Sequence, residues 1–195
     1  MKDFRIIVIT PPEIRSDEPE LITRLLEECA DIVHLRHPGC SIDEMCRLVE
    51  SIPEEFRSRL RVHSHFSLVD EYGLRGPHLN GRCPEYHGAT GSLSRSCHSV
   101  EEIPESGYEY VTLSPVFDSI SKSGYHSKFD ISDIRGKIAG KNVIALGGVT
   151  PEMFSELKRA GFTGAAMLGY IWNAPAEEIT DRITNIKNKL ICCNL

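Results

Sequence analysis

Short apolar runs alternate with amphipathic stretches along the chain, and the clearest run is Val143, Ile144, Ala145 and Leu146. Such an unbroken run predicts a parallel strand covered on both faces. Gly147 and Gly148 follow it, and Thr150 with Pro151 supplies an N-cap and a first-turn proline for the next helix. Further strands are predicted at residues 5–10, 31–36, 60–64, 76–79, 91–96, 108–113 and 164–168, the stretch 91–96 being the weakest in composition.

Helical patterns fill the intervals. Residues 18–30 place Leu21, Ile22, Leu25 and Leu26 on one face. Ser41 and Glu44 form a capping box that opens a helix carrying Met45, Leu48 and Val49. A short helix is predicted around 66–72, and longer ones at 151–160 and from 175 to about 190. Strands alternating with helices throughout predict an α/β chain with a parallel sheet. Eight strands favour a single (β/α)8 TIM barrel over residues 1–195, short for its class. An open doubly wound sheet is the alternative, and it needs a switch in strand order. No linker, repeat or low-complexity run divides the chain.

Composition narrows the function. Lys and Arg total 22 against 28 Asp and Glu, a net charge of −6, so no basic excess is available for a nucleic-acid backbone. No apolar stretch is long enough to span a bilayer, and the N-terminus lacks a signal-peptide pattern. The expectation is a cytoplasmic protein with no nucleic-acid or membrane partner. Seven cysteines, odd in number and without a CxxC pair, are expected to be reduced thiols.

Ligands of a barrel bind at the C-terminal ends of the strands, with phosphate at the loops after the later ones. Three segments fit: the loop after 108–113 with Ser119, Ser121 and Lys122, then Gly147 and Gly148, then Leu168 and Gly169. Their backbone amides suit one phosphate, with Lys122 as a mobile charge. Period-two alternation puts His34 and Arg36 on one strand face, and His63 and His65 together at the next strand end. Arg36 can clamp an anion by paired hydrogen bonds. Ser96 and His98 close the weak fifth strand, where a histidine can move protons near neutral pH. A metal held by His63 and His65 needs further ligands that the strand ends do not offer, and His78, Cys83 and His87 show no ligand spacing.

These segments resemble, in order, the motifs of the thiamine phosphate synthase and thiazole tautomerase (TenI-like) superfamily of (β/α)8 barrels. His34-Leu-Arg-His-Pro38 is similar to its Gln-Leu-Arg-Glu-Lys, and Gly76-Pro-His-Leu79 to Gly-Val-His-Leu. The run from Ser94 to Ser99 resembles Gly-x-Ser-x-His-Ser, and that from Ser114 to Lys122 resembles Gly-Pro-Val-Phe-x-Thr-x-Thr-Lys. Ala145 to Val149 matches Ala-Ile-Gly-Gly-Ile. The resemblance implies a small phosphorylated thiazole substrate held by Gly147, Gly148, Leu168, Gly169, Ser119, Ser121 and Lys122. It also implies a homo-oligomer, a dimer in the family.

The departures bear on the reaction. The synthase joins a pyrimidine methyl diphosphate to thiazole phosphate with Mg²⁺, using an Asn-Asp pair and a further Asp. Here those segments read His63-Ser64 and Asn80-Gly-Arg-Cys83, and the family's lysine is Pro38. Both carboxylates that suit Mg²⁺ are gone. The resemblance therefore favours a thiazole tautomerase without cofactor or metal, with His98 as acid and base and with His34, Arg36, His63 and Ser96 contacting substrate. Thiamine phosphate synthase, which would need Mg²⁺, is the alternative. A non-catalytic binder of thiazole or thiamine phosphate that acts as a regulator is a third. Whether the loop 82–91 covers the mouth is left open.

Overall fold

The structure, a computed structural model, describes residues 4–118 and 131–193, excepting the side chains at 132 and 133. In chain order it contains β1 (Arg5–Ile9), α1 (Glu18–Glu28), β2 (Ile32–Leu35), α2 (Ile42–Glu50), α3 (Glu54–Arg57), β3 (Leu60–Val62), α4 (Leu68–Tyr72) and β4 (Gly76–Leu79). There follow β5 (Ser94–Cys97), β6 (Tyr110–Leu113), α5 (Ile131–Ile138), β7 (Val143–Leu146), α6 (Phe154–Arg159), β8 (Gly164–Met167), α7 (Gly169–Trp172) and α8 (Ala176–Cys192). The strands pair in sequence order, and parallel β1–β8 pairing, Ile7 opposite Ala166, closes the barrel. The chain is thus a (β/α)8 barrel rather than an open sheet.

Local chemistry explains the outer layer. Ser41 and Glu44 make both bonds of the capping box, the Glu44 N–H donating to Ser41 Oγ at 3.3 Å and the Ser41 N–H to Glu44 Oε2 at 2.8 Å. Ile22, Leu25 and Leu26 of α1, and Met45, Leu48 and Val49 of α2, are buried among the outward-facing strand residues. Each such burial contributes about 1.5–3 kcal/mol. The stretch 151–160 is not one helix: a 3₁₀ turn at Pro151–Met153 precedes α6. Thr150 has extended N-cap backbone, but its side chain makes no cap hydrogen bond. The fifth strand starts later than expected, at Ser94, because Ser92 is held by Arg75 and Arg61.

The barrel interior divides into two halves. Ile7, Ile9, Ile32, Ile144 and Ala166 form an apolar cluster with the Tyr110 ring. The side from β2 to β6 is polar, with His34, Arg61, His78, Ser94 and Thr112 all buried. At the N-terminal floor Glu109 gathers three guanidiniums: Arg5 at 2.6 Å, Arg61 at 2.8 Å, and Arg75. Arg61 also donates to Pro77 O at 2.8 Å and Ser92 O at 2.6 Å, and lies over the Tyr110 ring at 5.1 Å. All seven cysteines are free thiols. Among the described residues no helix is long and apolar enough to cross a membrane.

Candidate functional site

The C-terminal rim is built from strand ends whose alternation is fixed by the barrel. His34 on β2 points inward and is fully buried. Arg36, two residues on, is half-buried at the rim. Burial, then the neighbouring charge of Arg82, lowers the Arg36 pKa. Among the described residues the Arg36 guanidinium has no hydrogen-bond or ion-pair partner, its backbone N–H donating to Thr10 Oγ1 at 2.9 Å. Arg82 is placed by Asn80, whose Oδ1 accepts its N–H at 3.0 Å. The Asn80 amide in turn donates to His63 O and His78 O, both at 3.0 Å, tying the ends of β3 and β4 together.

His63 and His65 do not share a face. His65 takes a left-handed backbone, φ 52°, and its Nε2 pairs with Cys40 O at 3.0 Å. Its turn away from the mouth overturns the paired placement read from strand alternation, since β3 ends at Val62 and period two ceases there. His63 instead meets His34, Nε2 to Nδ1 at 2.9 Å, and His34 Nε2 meets Tyr110 Oη at 2.6 Å. His78, read from the sequence as having no ligand pattern, joins them, its ring stacked on His63 with centroids 4.4 Å apart. Its nitrogens are held by Ser94 Oγ at 2.8 Å and Ser96 Oγ at 2.9 Å. Burial, reinforced by the neighbouring cations and imidazoles, holds all three histidines well below their usual pKa, His63 at about 3. They are neutral at physiological pH. Of the three only His63 is partly exposed, so the substrate contact expected of His34 is enclosed behind it.

His98 follows β5 and is exposed. Its backbone N–H donates to Glu102 Oε2 at 2.8 Å, and its Nδ1 lies 3.3 Å from Ser114 O and 3.4 Å from Ser114 Oγ. The ring is steered from Nδ1, and Nε2 has no partner among the described residues. Ser96, two residues earlier, is partly exposed and committed to His78.

Gly147 and Gly148 follow β7 with φ of 95° and 66°, a region that other residues enter only with strain. They are pressed against the segment after β6, where Val116 and Phe117 donate to Leu146 O at 2.9 Å and Gly147 O at 3.0 Å. A Cβ on Gly148 would strike Asp118 O and Phe117 Cβ. Among the described residues the Gly148 N–H has no acceptor, as an anion cradle requires. Leu168 and Gly169 start α7 on the adjacent strand, and the Trp172 indole pins that helix by donating to Ile9 O at 2.8 Å. Gly148→Ala is expected to weaken binding of a small phosphorylated ligand by about 10-fold or more, a loss of about 1.4 kcal/mol. Isothermal titration checks this, and unchanged affinity would remove Gly148 from the cradle. Ser119, Ser121 and Lys122 lie outside the described residues.

The loop 82–91 is anchored beside α4. Asp70 accepts the N–H groups of Ala89 at 3.2 Å and Thr90 at 3.0 Å, and the Tyr86 ring meets Phe66 edge-on at 5.9 Å.

The Mg²⁺ implied by the sequence resemblance does not fit this donor set. Mg²⁺ takes oxygen ligands, carboxylates above all. The family's carboxylate positions hold Ser64 and Cys83, and the one metal-competent cluster among the described residues is three imidazoles.

Known proteins match this chain along most of its length. A family model described as Thiamine monophosphate synthase matches residues 6–171. The thiamine-phosphate synthase of Dictyoglomus turgidum is 23% identical, over 90% of this chain and 86% of that protein. That of Methanoregula boonei is 26% identical, over 82% and 83%. The crystal structure of thiamine phosphate pyrophosphorylase from Bacteroides thetaiotaomicron superposes with a TM-score of 0.84 at 34% identity, covering 96% of this chain and 98% of that one. The eight-stranded closure and these matches agree, and the chain belongs to the thiamine monophosphate synthase family.

Proposed function

We propose that this chain joins a pyrimidine methyl diphosphate to a thiazole phosphate, forming thiamine phosphate and releasing diphosphate. One observation carries the reading. Arg36 follows β2 and Arg82 follows β4, near enough that the Arg82 charge acts on Arg36, while Gly147–Gly148 and Leu168–Gly169 follow β7 and β8 of the closed barrel. Two anionic groups are thus served from two sides of one mouth. The cradle holds the thiazole phosphate and leaves its ring nitrogen toward the centre. The pyrimidine methylene C–O bond breaks, its electron pair leaves with diphosphate, and the thiazole nitrogen forms the new N–C bond. Guanidiniums that receive the departing charge supply the stabilisation. The names of the relatives favour this condensation over the tautomerase inferred from the missing carboxylates.

Tautomerisation of a thiazole phosphate carboxylate is the second reading, favoured by His98. Its steered Nδ1 and open Nε2 suit removal and return of a proton. One experiment separates the two. The purified chain is given both condensation substrates, with Mg²⁺ or with chelator, or the thiazole tautomer alone. Thiamine phosphate and diphosphate in equal amounts, reduced about 100-fold in kcat/KM by Arg36→Gln, are the expected result. Tautomer conversion that His98→Asn abolishes, without condensation, would install the second reading. Tight thiazole phosphate binding with neither turnover would leave the regulator.

A further inference from the structure

Neither reaction above gives His34, His63 or His78 a part in making or breaking bonds, yet they come from β2, the end of β3 and β4 and face one another. One ring nitrogen from each lies within 4.8 Å of the other two. The His34–His63 contact is 2.9 Å and the His34 and His78 rings are 4.9 Å apart. No carboxylate takes part among the described residues.

We propose that His34, His63 and His78 form a tri-imidazole site for a borderline divalent cation of the Zn²⁺ or Co²⁺ type, inside the β2–β4 side of the barrel. Such ions take imidazole nitrogen readily, and three histidines with an open fourth position are an established set for them. The outer partners fit as well. A ligating histidine donates its other ring N–H to a fixed acceptor, which sets the tautomer. If Nδ1 of His34 ligates, its Nε2–H donates to Tyr110 Oη, 2.6 Å away. If Nε2 of His78 ligates, it gives up its contact with Ser96 Oγ at 2.9 Å, and its Nδ1–H donates to Ser94 Oγ, 2.8 Å away. Both acceptors are buried.

Guanidinium charge acts on the cluster. That of Arg61 is committed to Glu109 at 2.8 Å, and Arg36 bears on His63 from the half-buried rim, where an anionic ligand can offset it. The imidazoles are neutral and give up no proton to bind a metal. His63, the partly exposed member, marks the side from which an ion enters and on which its fourth position opens. Arg36 is near enough for its charge to act on His63, so an anionic oxygen of a bound substrate is the class of ligand that would complete the shell.

The test uses the full chain, chelated, reduced and without substrate, so it is independent of the reaction proposed above. Co²⁺ is titrated while ligand-field absorption and heat are recorded. One equivalent is expected to bind, with tetrahedral-type absorption and no thiolate charge-transfer band, while Mg²⁺ alone gives no heat. His63→Ala is expected to weaken Co²⁺ by about 100-fold or more, since losing an outer partner alone costs about 10–100-fold, the loss expected of Ser94→Ala. The wild-type Co²⁺ protein should also show hyperfine-shifted, exchangeable imidazole protons from three histidines, a readout that needs no variant. Absence of saturable absorption, thiolate bands from the free cysteines, or undiminished binding in a folded His63→Ala would overturn the site. Missing imidazole signals would do the same.

Discussion

Glu109→Ala is expected to cost about 3–5 kcal/mol of folding stability, because it strips the counter-charge from a buried arginine. Arg61 has no exposed surface, and Glu109 Oε2 is 2.8 Å from its guanidinium. The same carboxylate serves Arg5, Arg75 and the Ser92 hydroxyl. Burial by itself would raise the Glu109 pKa from 4.5. The hydrogen bonds of Arg75 and Ser92 and the charges of Arg75 and Arg61 outweigh it and leave the value at about 2. Without the carboxylate, three guanidiniums face one another across the floor. Glu109→Gln keeps the shape and acceptors, so it should cost less than Ala. Urea unfolding of the three proteins checks this, and a loss below about 1 kcal/mol for Ala would mean that backbone carbonyls suffice for Arg61.

Acid is expected to unfold the metal-free protein earlier than carboxylate titration alone would. His34, His63 and His78 are neutral when folded, with pKa values held below 6.5 mainly by burial. The unfolded chain therefore binds more protons below pH 6.5. The stability conferred by the neutral rings is intact above that pH and is lost as pH falls toward about 3, the folded value of His63. Each group contributes a slope of up to about 1.4 kcal/mol per pH unit, so three approach about 4 kcal/mol per unit. Against a total stability of about 5–15 kcal/mol, the midpoint of unfolding should lie between about pH 3 and 5. The slope of unfolding free energy between pH 7.5 and 5 measures this, and His63→Gln should flatten it by about a third. A flat profile across that window would place the imidazoles in contact with water.

The barrel was legible in the sequence because apolar runs report strands, and order-preserving alternation with helices reports a parallel closed sheet. The capping box at Ser41 and Glu44, and the glycine turn after β7, were legible because each is a local device. The short helices α3, α5 and α7 went unread: α3 and α7 have four residues each and too few turns for a periodicity. The candidate site was half legible. Alternation put His34 and Arg36 on one face; β2 ends at Leu35, with His34 buried inside and Arg36 half-buried just beyond the strand. It failed at His65, where the strand had already ended. It was silent on His78, Tyr110 and Ser94, whose partners are 76 residues away for His34–Tyr110 and 16 for His78–Ser94. Which strands face each other across a barrel is a property of closure, and no window of sequence contains it.

The chain has a single tryptophan, and it sits in the short helix that begins at Gly169. Its indole is nearly buried, hydrogen-bonded to Ile9 O and flanked by the Arg15 guanidinium 6.0 Å from the ring centroid. The molecule therefore carries its own fluorophore one helical turn from the amides that would hold an anion. Occupancy of that half of the mouth is open to optical readout in the unmodified protein, while the histidine side, which has no indole, stays dark.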